Sequence, residues 1–214
     1  NGNDLGPITQ TGRAKWVAGS ENMPGNIQAF EENKGQFLNL TKGKWVIQYG
    51  CNDHGAQVLF TNKGILYYLP ERIKVKDNDN KKESDAAKEQ DKERHEFLYK
   101  TIYHKVAIQW IKPNPNVQIE AVDQTPYFFG SVDPKKPAGI NNIKGYKELI
   151  YHNLYPGIDV VFTFHKDRGI EYALKGQPGY ADSVFKMQYY GDNGLSLDVE
   201  GNLHIKTPMG DRID

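Results

Sequence analysis

The chain has a single cysteine, Cys51, among 214 residues. An intrachain disulfide and a cysteine-based metal site are therefore both excluded. Charge of one sign is also missing: 27 Lys and Arg stand against 27 Asp and Glu. A balanced chain makes no overall electrostatic bid for nucleic acid or an anionic membrane, although local patches are still allowed. No stretch approaches the ~20 apolar residues that span a bilayer as a helix. No signal peptide is visible, yet the chain starts at Asn1 rather than Met, so it reads as a processed or trimmed product, and the missing signal says nothing against secretion.

The motifs of common chemistries are absent as well. There is no G-x-x-x-x-G-K-[ST] phosphate loop and no G-x-S-x-G elbow around Ser20, Ser84, Ser131, Ser183 or Ser196. The six histidines, His54, His95, His104, His152, His165 and His204, form no H-E-x-x-H or H-x-H pair. Asp77, Asp79, Glu83 and Asp85 cluster, but Lys76, Lys81 and Lys82 interleave them, and a calcium loop would need a central Gly and a closing Glu. No catalytic residue, cofactor or metal ligand is assigned. Cys51 reads as a small core residue rather than a nucleophile, with His54 three positions on in an expected loop.

What is present favours strands. The 13 Tyr and 9 Phe suit sheets, and the 21 Gly and 11 Pro suit turns. Residues 1–26 read as an irregular tail or strap, anchored by Trp16 and Val17. Apolar runs then follow at 45–49, 57–61 and 65–69, the last two joined by Asn62-Lys63-Gly64 as a hairpin. Residues 74–96 mix charges of both signs and read as a solvated insertion, disordered or weakly helical. Strands resume at 97–110, 117–122 and 127–129, with a long loop expected over 130–142. Further strands are expected at 146–151, 158–164 and 170–174. Alternation of Phe185, Met187 and Tyr189, and of Leu195, Leu197 and Val199, predicts strands with one dry face each. The fold class is all-β: an antiparallel β-sandwich over 27–214 with a charged insertion.

Several stretches carry a resemblance. They are Phe30 to Phe37; Tyr127-Phe128-Phe129-Gly130 with Asp133-Pro134; Tyr151 to Phe162; Ile170-Glu171-Tyr172 with Pro178-Gly179; and Tyr190-Gly191-Asp192 with Asp198 to Leu203. Together they resemble an uncharacterised N-terminal β-sandwich module of secreted Bacteroidota proteins. The resemblance implies an extracellular or cell-surface location and a chain that continues past Asp214 into further domains. It also implies links to type IX secretion, gliding or adhesion, and it transfers no catalytic residue.

The function expected is a non-catalytic structural or interaction module. Its partners would be neighbouring domains, other surface or secretion proteins, or glycans, without nucleic acid or membrane insertion. Exposed aromatics drawn from Trp16, Trp45, Trp110, Tyr67-Tyr68, Tyr127 and Tyr189-Tyr190 would support a carbohydrate-binding alternative, and a hydrolase ranks last. Asp159, lying between apolar residues, reads as an acceptor of backbone hydrogen bonds, with a calcium ligand or an acid catalyst as the other readings. Asp182-Ser183-Val184 resembles the three-residue acceptor of Bacteroidota O-glycosylation, which makes Ser183 a candidate modification site. Asn39-Leu40-Thr41 matches an N-glycan sequon that a bacterial origin would leave inert.

Overall fold

The computed structural model describes residues 8–10, 27–37, 45–75, 98–133, 136–179 and 182–213. The strands are β1 (Ile8–Gln10), β2 (Phe30–Glu32), β3 (Ile47–Asp53), β4 (Ala56–Thr61), β5 (Gly64–Val75), β6 (Leu98–Trp110) and β7 (Gln118–Asp133). There follow β8 (Lys136–Tyr155), β9 (Ile158–His165), β10 (Gly169–Gly176), β11 (Met187–Tyr190), β12 (Leu195–Leu197), β13 (Leu203–Thr207) and β14 (Gly210–Ile213). The one helical turn among the described residues is a 3-10 turn at Asp182–Val184. The protein is all-β and antiparallel, as its composition and alternation predict.

The two layers belong to one sheet. Eleven strands run in the order β1-β6-β5-β4-β3-β2-β8-β9-β10, with β11 added on β6 and β7 on β8. The short β2 is the join: Glu31 pairs with Gly50 of β3 on one side and Gly145 of β8 on the other. About this join the sheet curls, so that β4–β6 face β8 and β9 across a shared core. Phe30 lies at the fold line, 5.1 Å from Phe60 and stacked on Phe164 at 4.3 Å. Phe60 meets Phe162 at 5.3 Å, and Trp110 meets Tyr151 at 6.0 Å. Such offset and edge-on ring pairs add to the gain from burying apolar area. The Tyr151 hydroxyl donates to the Thr61 carbonyl at 3.0 Å, so its one polar atom is satisfied inside the core.

Local sequence explains the turns. The β3–β4 hairpin closes on His54 and Gly55, both with positive φ (48° and 82°), the geometry of a two-residue hairpin turn that matches strand twist. Asn62 and Lys63 close the next hairpin, with Thr61 pairing Gly64. Pro156 and Gly157 turn β8 into β9, with Tyr155 opposite Ile158. Asn33 uses its side-chain oxygen to accept the Gly35 amide, bracing the expected turn there.

Several expectations need correction. Ile8–Gln10 is not an irregular strap but an edge strand paired with Tyr103–Thr101 of β6. β3 runs beyond the expected 45–49 to Asp53, with His54 in the turn after it as expected, and Lys74 and Val75, expected in the insertion, end β5 opposite Tyr99 and Leu98. Residues 76–97, with the acidic cluster and His95, lie outside the described residues, as do Trp16, Val17 and Asn39-Leu40-Thr41. The long loop expected over 130–142 is instead mostly the outer part of a β7–β8 hairpin, with Phe129 opposite Ile143 and Ser131 opposite Ile140. Register shifts there absorb the prolines and glycines that break a regular pattern.

The rule of one dry face per sheet also fails over β4–β6. Val58 and Phe60 point into the shared core, while Leu59, on the opposite face, is equally buried. Leu59, Leu66, Tyr68 and Ala107 form a second cluster with Phe37 and Ile47, flanked by Trp45, Tyr103 and Tyr190. This half of the sheet is therefore covered on both sides, which explains its near-continuous apolar runs.

Candidate functional site

β12, β13 and β14 form a separate three-stranded sheet. It follows β11, and Ile205 and Thr207 of β13 lie beside the mouth of a cavity between the layers of the main sheet. The cavity measures about 950 Å³. Its apolar walls include Ile65 and Tyr67 of β5, Ile108 of β6, Phe162 of β9, Ile170 of β10 and Met187 of β11. Alternation places these side chains: each belongs to the inward parity of its strand.

The rim is polar and built from turns. Asp53 and His54 come from the β3–β4 hairpin, Arg168 and Glu171 from the β9–β10 hairpin, and Asn202 and Asp211 from the small sheet. Asp53 is buried and accepts from His54 Nδ1 at 3.0 Å. It can sit there because Gly169 has no side chain: a Cβ would lie 2.2 Å from Asp53 Oδ1. Within the β9–β10 hairpin, Arg168 Nη2 donates to Glu171 Oε2 at 3.1 Å.

A second feature is β12, the edge strand of the small sheet, whose Leu195 and Leu197 stand opposite Ile205 and Leu203 and so share the face that borders the cavity. Leu195 and Leu197 are 46% and 71% exposed, and Val199, in the turn after β12, is fully exposed. The alternation read from sequence is real, but the face it predicts to be dry is covered at Ile205 of β13 and left open along β12. Met209 at the β13–β14 turn and Val184 in the 3-10 turn are exposed too.

Groups with chemical potential are largely tied into structure. Burial pushes the Cys51 thiol well above its ordinary pKa, aided by the nearby Asp53 and Glu31, so it is held protonated. Asp159 accepts the Asn153 amide at 2.7 Å, the backbone bond expected of it. It also sits 3.3 Å from His152 Nδ1, while Glu120 contacts His152 Nε2 at 2.6 Å. Above all the Glu120 bond, then Asp159, raises the His152 pKa, and this set braces Asn153, whose φ is +49°. Asp198 accepts from Asn202 and His204 and from the Glu200 and Asn202 amides, which hold its carboxyl well below the usual range and shape the turn before β13. His104 pairs with Glu71 at 2.7 Å, and His165 accepts the Asp167 and Arg168 amides. The His104–Glu71 and His152–Glu120 pairs join residues far apart in sequence, and only strand register reveals them. Among the described residues no three His, Cys, Asp or Glu side chains converge as metal ligands.

Of the rings that a carbohydrate platform would draw on, Trp110 and Tyr68 are buried and Tyr67 lines the cavity, whereas Trp45, Tyr127, Tyr189 and Tyr190 are half-buried and Trp16 lies outside the described residues. The pair Tyr67-Tyr68 places neither ring outward, because both faces of β5 are covered. Of the exposed rings, Tyr99 lies beneath Arg72, 5.1 Å from its guanidinium carbon, while Phe128 is on β7. Ser183 is exposed on the 3-10 turn, accessible as a modification site would need to be.

The side-chain contacts described above account for much of the family-like sequence: Asn33 and Gly35, Asn153 with Pro156-Gly157 and Asp159, and Asp198 with Asn202 all hold turns. No curated protein and no solved structure shows significant similarity to this chain. A family model described as "Domain of unknown function (DUF7948)" matches residues 30–214, from the first strand of the fold line to the small C-terminal sheet, and the chain belongs to that family.

Proposed function

We propose that this chain is a non-catalytic structural and interaction module of a secreted or cell-surface multidomain bacterial protein, on which a neighbouring domain docks through the small C-terminal sheet. The observation that carries this reading is the exposed run of Leu195 and Leu197 on β12 with Val199 in the turn that follows. Apolar rows of this kind mark surfaces that another protein covers. The protonated, buried Cys51 and the turn-holding roles of His152 and His204 support a module without chemistry of its own. The sequence resemblance favours a setting in type IX secretion, adhesion or gliding, with Ser183 carrying an O-glycan in the native host.

Hydrogen exchange tests the docking. Amides of Leu195 to Val199 are expected to exchange more slowly in the native full-length polypeptide than in this 214-residue chain. Equal exchange in the two settings, or a native polypeptide without any further domain, rejects the reading. For Ser183, mass spectrometry of native material finding only the unmodified peptide rejects the glycan.

A further inference from the structure

The backbone of β12 shows which of its groups are already used. The Lys206 amide donates to the Gly194 carbonyl at 2.9 Å, and the Asp198 amide donates to the Asn202 carbonyl at 3.1 Å. The ladder with β13 therefore runs from Gly194 to Asp198, beyond β12 at both ends. In an antiparallel pair, hydrogen-bonded positions alternate with positions whose amide and carbonyl point away from the partner strand. Gly194, Ser196 and Asp198 thus turn toward β13, while Leu195 and Leu197 aim their backbone groups at the open edge. Among the described residues no strand pairs with that edge. The two residues with outward backbone groups are also the two whose side chains are exposed.

Proteins guard free sheet edges with charges, prolines or bulges. The far edge of the same small sheet is guarded, since β14 carries Asp211 and Arg212. In the main sheet, β10 carries Glu171 and Lys175, and β7 is broken by register shifts. The run Leu195-Ser196-Leu197 has no charge and no proline, and it keeps one register against β13. An extended chain is the partner that offers carbonyls and amides at the spacing of such an edge. The two faces of the sheet set the side chains of that partner. Leu195, Leu197, Leu203 and Ile205 share one face, while Ser196 and His204 share the other. From this combination we propose that the neighbouring domain docks on β12 by strand addition. It contributes an extended segment with apolar side chains at every second residue, on the leucine face, and polar ones between. The inference rests on the docking reading above and supplies its chemistry: the amides and carbonyls of Leu195 and Leu197 carry the contact, and their side chains add apolar area to it.

Hydrogen exchange resolved to single amides by fragmentation mass spectrometry tests this. In the 214-residue chain, the Leu195 and Leu197 amides should exchange faster than those of Ser196 and Asp198, which are bonded to β13. In the native full-length polypeptide the two leucine amides should slow by on the order of a hundredfold, to the level of Ser196. Leu197→Pro deletes an outward amide and no bond to β13, a place where an edge strand tolerates proline. The 214-residue variant should therefore keep the parent's circular dichroism and its slow Ser196 amide. In the native polypeptide, Leu197→Pro should return the Leu195 amide to its fast exchange, whereas Leu197→Thr, which keeps the amide, should retain most of the protection. If Leu197→Pro disturbs the chain's own fold, Leu195→Pro makes the same test with Leu197 as the reporter. Leucine amides that stay faster than Ser196 in the native polypeptide overturn strand addition and leave the docking reading standing. Equal protection in Leu197→Pro and Leu197→Thr does the same. No slowing anywhere from Leu195 to Val199 rejects both. A dimer of the 214-residue chain in sedimentation that Leu197→Pro dissolves gives the edge to a second copy and also overturns the proposal.

Discussion

β4 of the curled sheet and β12 of the small sheet both place apolar side chains at every second position, although β4 adds Leu59 between Val58 and Phe60. Val58 and Phe60 are fully buried, whereas Leu195 and Leu197 are largely exposed. The difference does not lie in the strands themselves. β4 is flanked by β3 and β5 in a sheet that curls until β8 and β9 cover its inner face. β12 pairs only with β13, in a sheet of three strands that does not close on itself. Alternation thus determines which side chains share a face, while coverage depends on what the chain brings over that face. A dry face in the curled sheet contributes stability to the fold, and an uncovered one is available to a partner.

The sharpest way to break this comparison is truncation in the curled sheet. Phe162 is 2% exposed and meets Phe60, Trp110, Tyr151 and Tyr172. Phe162→Ala should cost about 3–5 kcal/mol, the sum of lost transfer energy and a cavity that closely packed rings cannot fill. Urea denaturation measures this, and a loss below about 1 kcal/mol would mean that the two layers do not pack as described.

A second effect lies on the fold line itself. Glu31 on β2 is buried beside the join, and burial raises its carboxyl pKa to about 7, with a Gln36 hydrogen bond only partly offsetting this. One of its oxygens, Oε2, has no hydrogen-bond partner. The unfolded chain releases this proton near the ordinary value of 4.5, whereas the folded chain keeps it to about 7. Between those values the native state holds more protons than the unfolded state, so stability falls as pH rises and levels off above the folded pKa. The Glu31→Gln variant removes the titration while keeping the shape. Relative to the parent, it should gain on the order of 3 kcal/mol between pH 4.5 and pH 8, one pKa unit being worth about 1.4 kcal/mol. Parallel stability curves for the two proteins across that range would remove the buried carboxyl from the account of the join.

Much of the main sheet was legible because its local signals agree with its long-range pairing. Asn62-Lys63 and Pro156-Gly157 mark hairpin turns, and the runs on either side of them pair as neighbours. The hairpin at 130–142 was hidden because its register shifts break the two-residue rhythm over the stretch where Pro137 and Gly139 suggest a loop. β1 was hidden because three residues on an edge leave no periodic signature. The cavity had still less to show. Its rim joins Asp53, Glu171 and Asp211, residues from three hairpins that only the curl of the sheet brings together. The Glu31 carboxyl gave no signal either, since it looks like any charged residue in a polar stretch until both neighbouring strands are in place.

The smallest expected effect completes the comparison. Leu197 is 71% exposed, so little of its side chain is removed from water on folding. Leu197→Ser should therefore change the stability of the 214-residue chain by no more than about 0.5 kcal/mol, the usual range for surface positions. The same substitution in the native polypeptide should matter more, because a docked neighbour would bury that leucine, and a fully buried leucine is worth roughly 1.5–3 kcal/mol. The informative quantity is the difference between the two settings, measured as a shift in unfolding midpoint of this region. A loss of more than about 1 kcal/mol in the 214-residue chain itself would show that β12 already packs against its own fold. A negligible loss in both settings would leave the row uncovered in the native protein and remove its role as a docking surface.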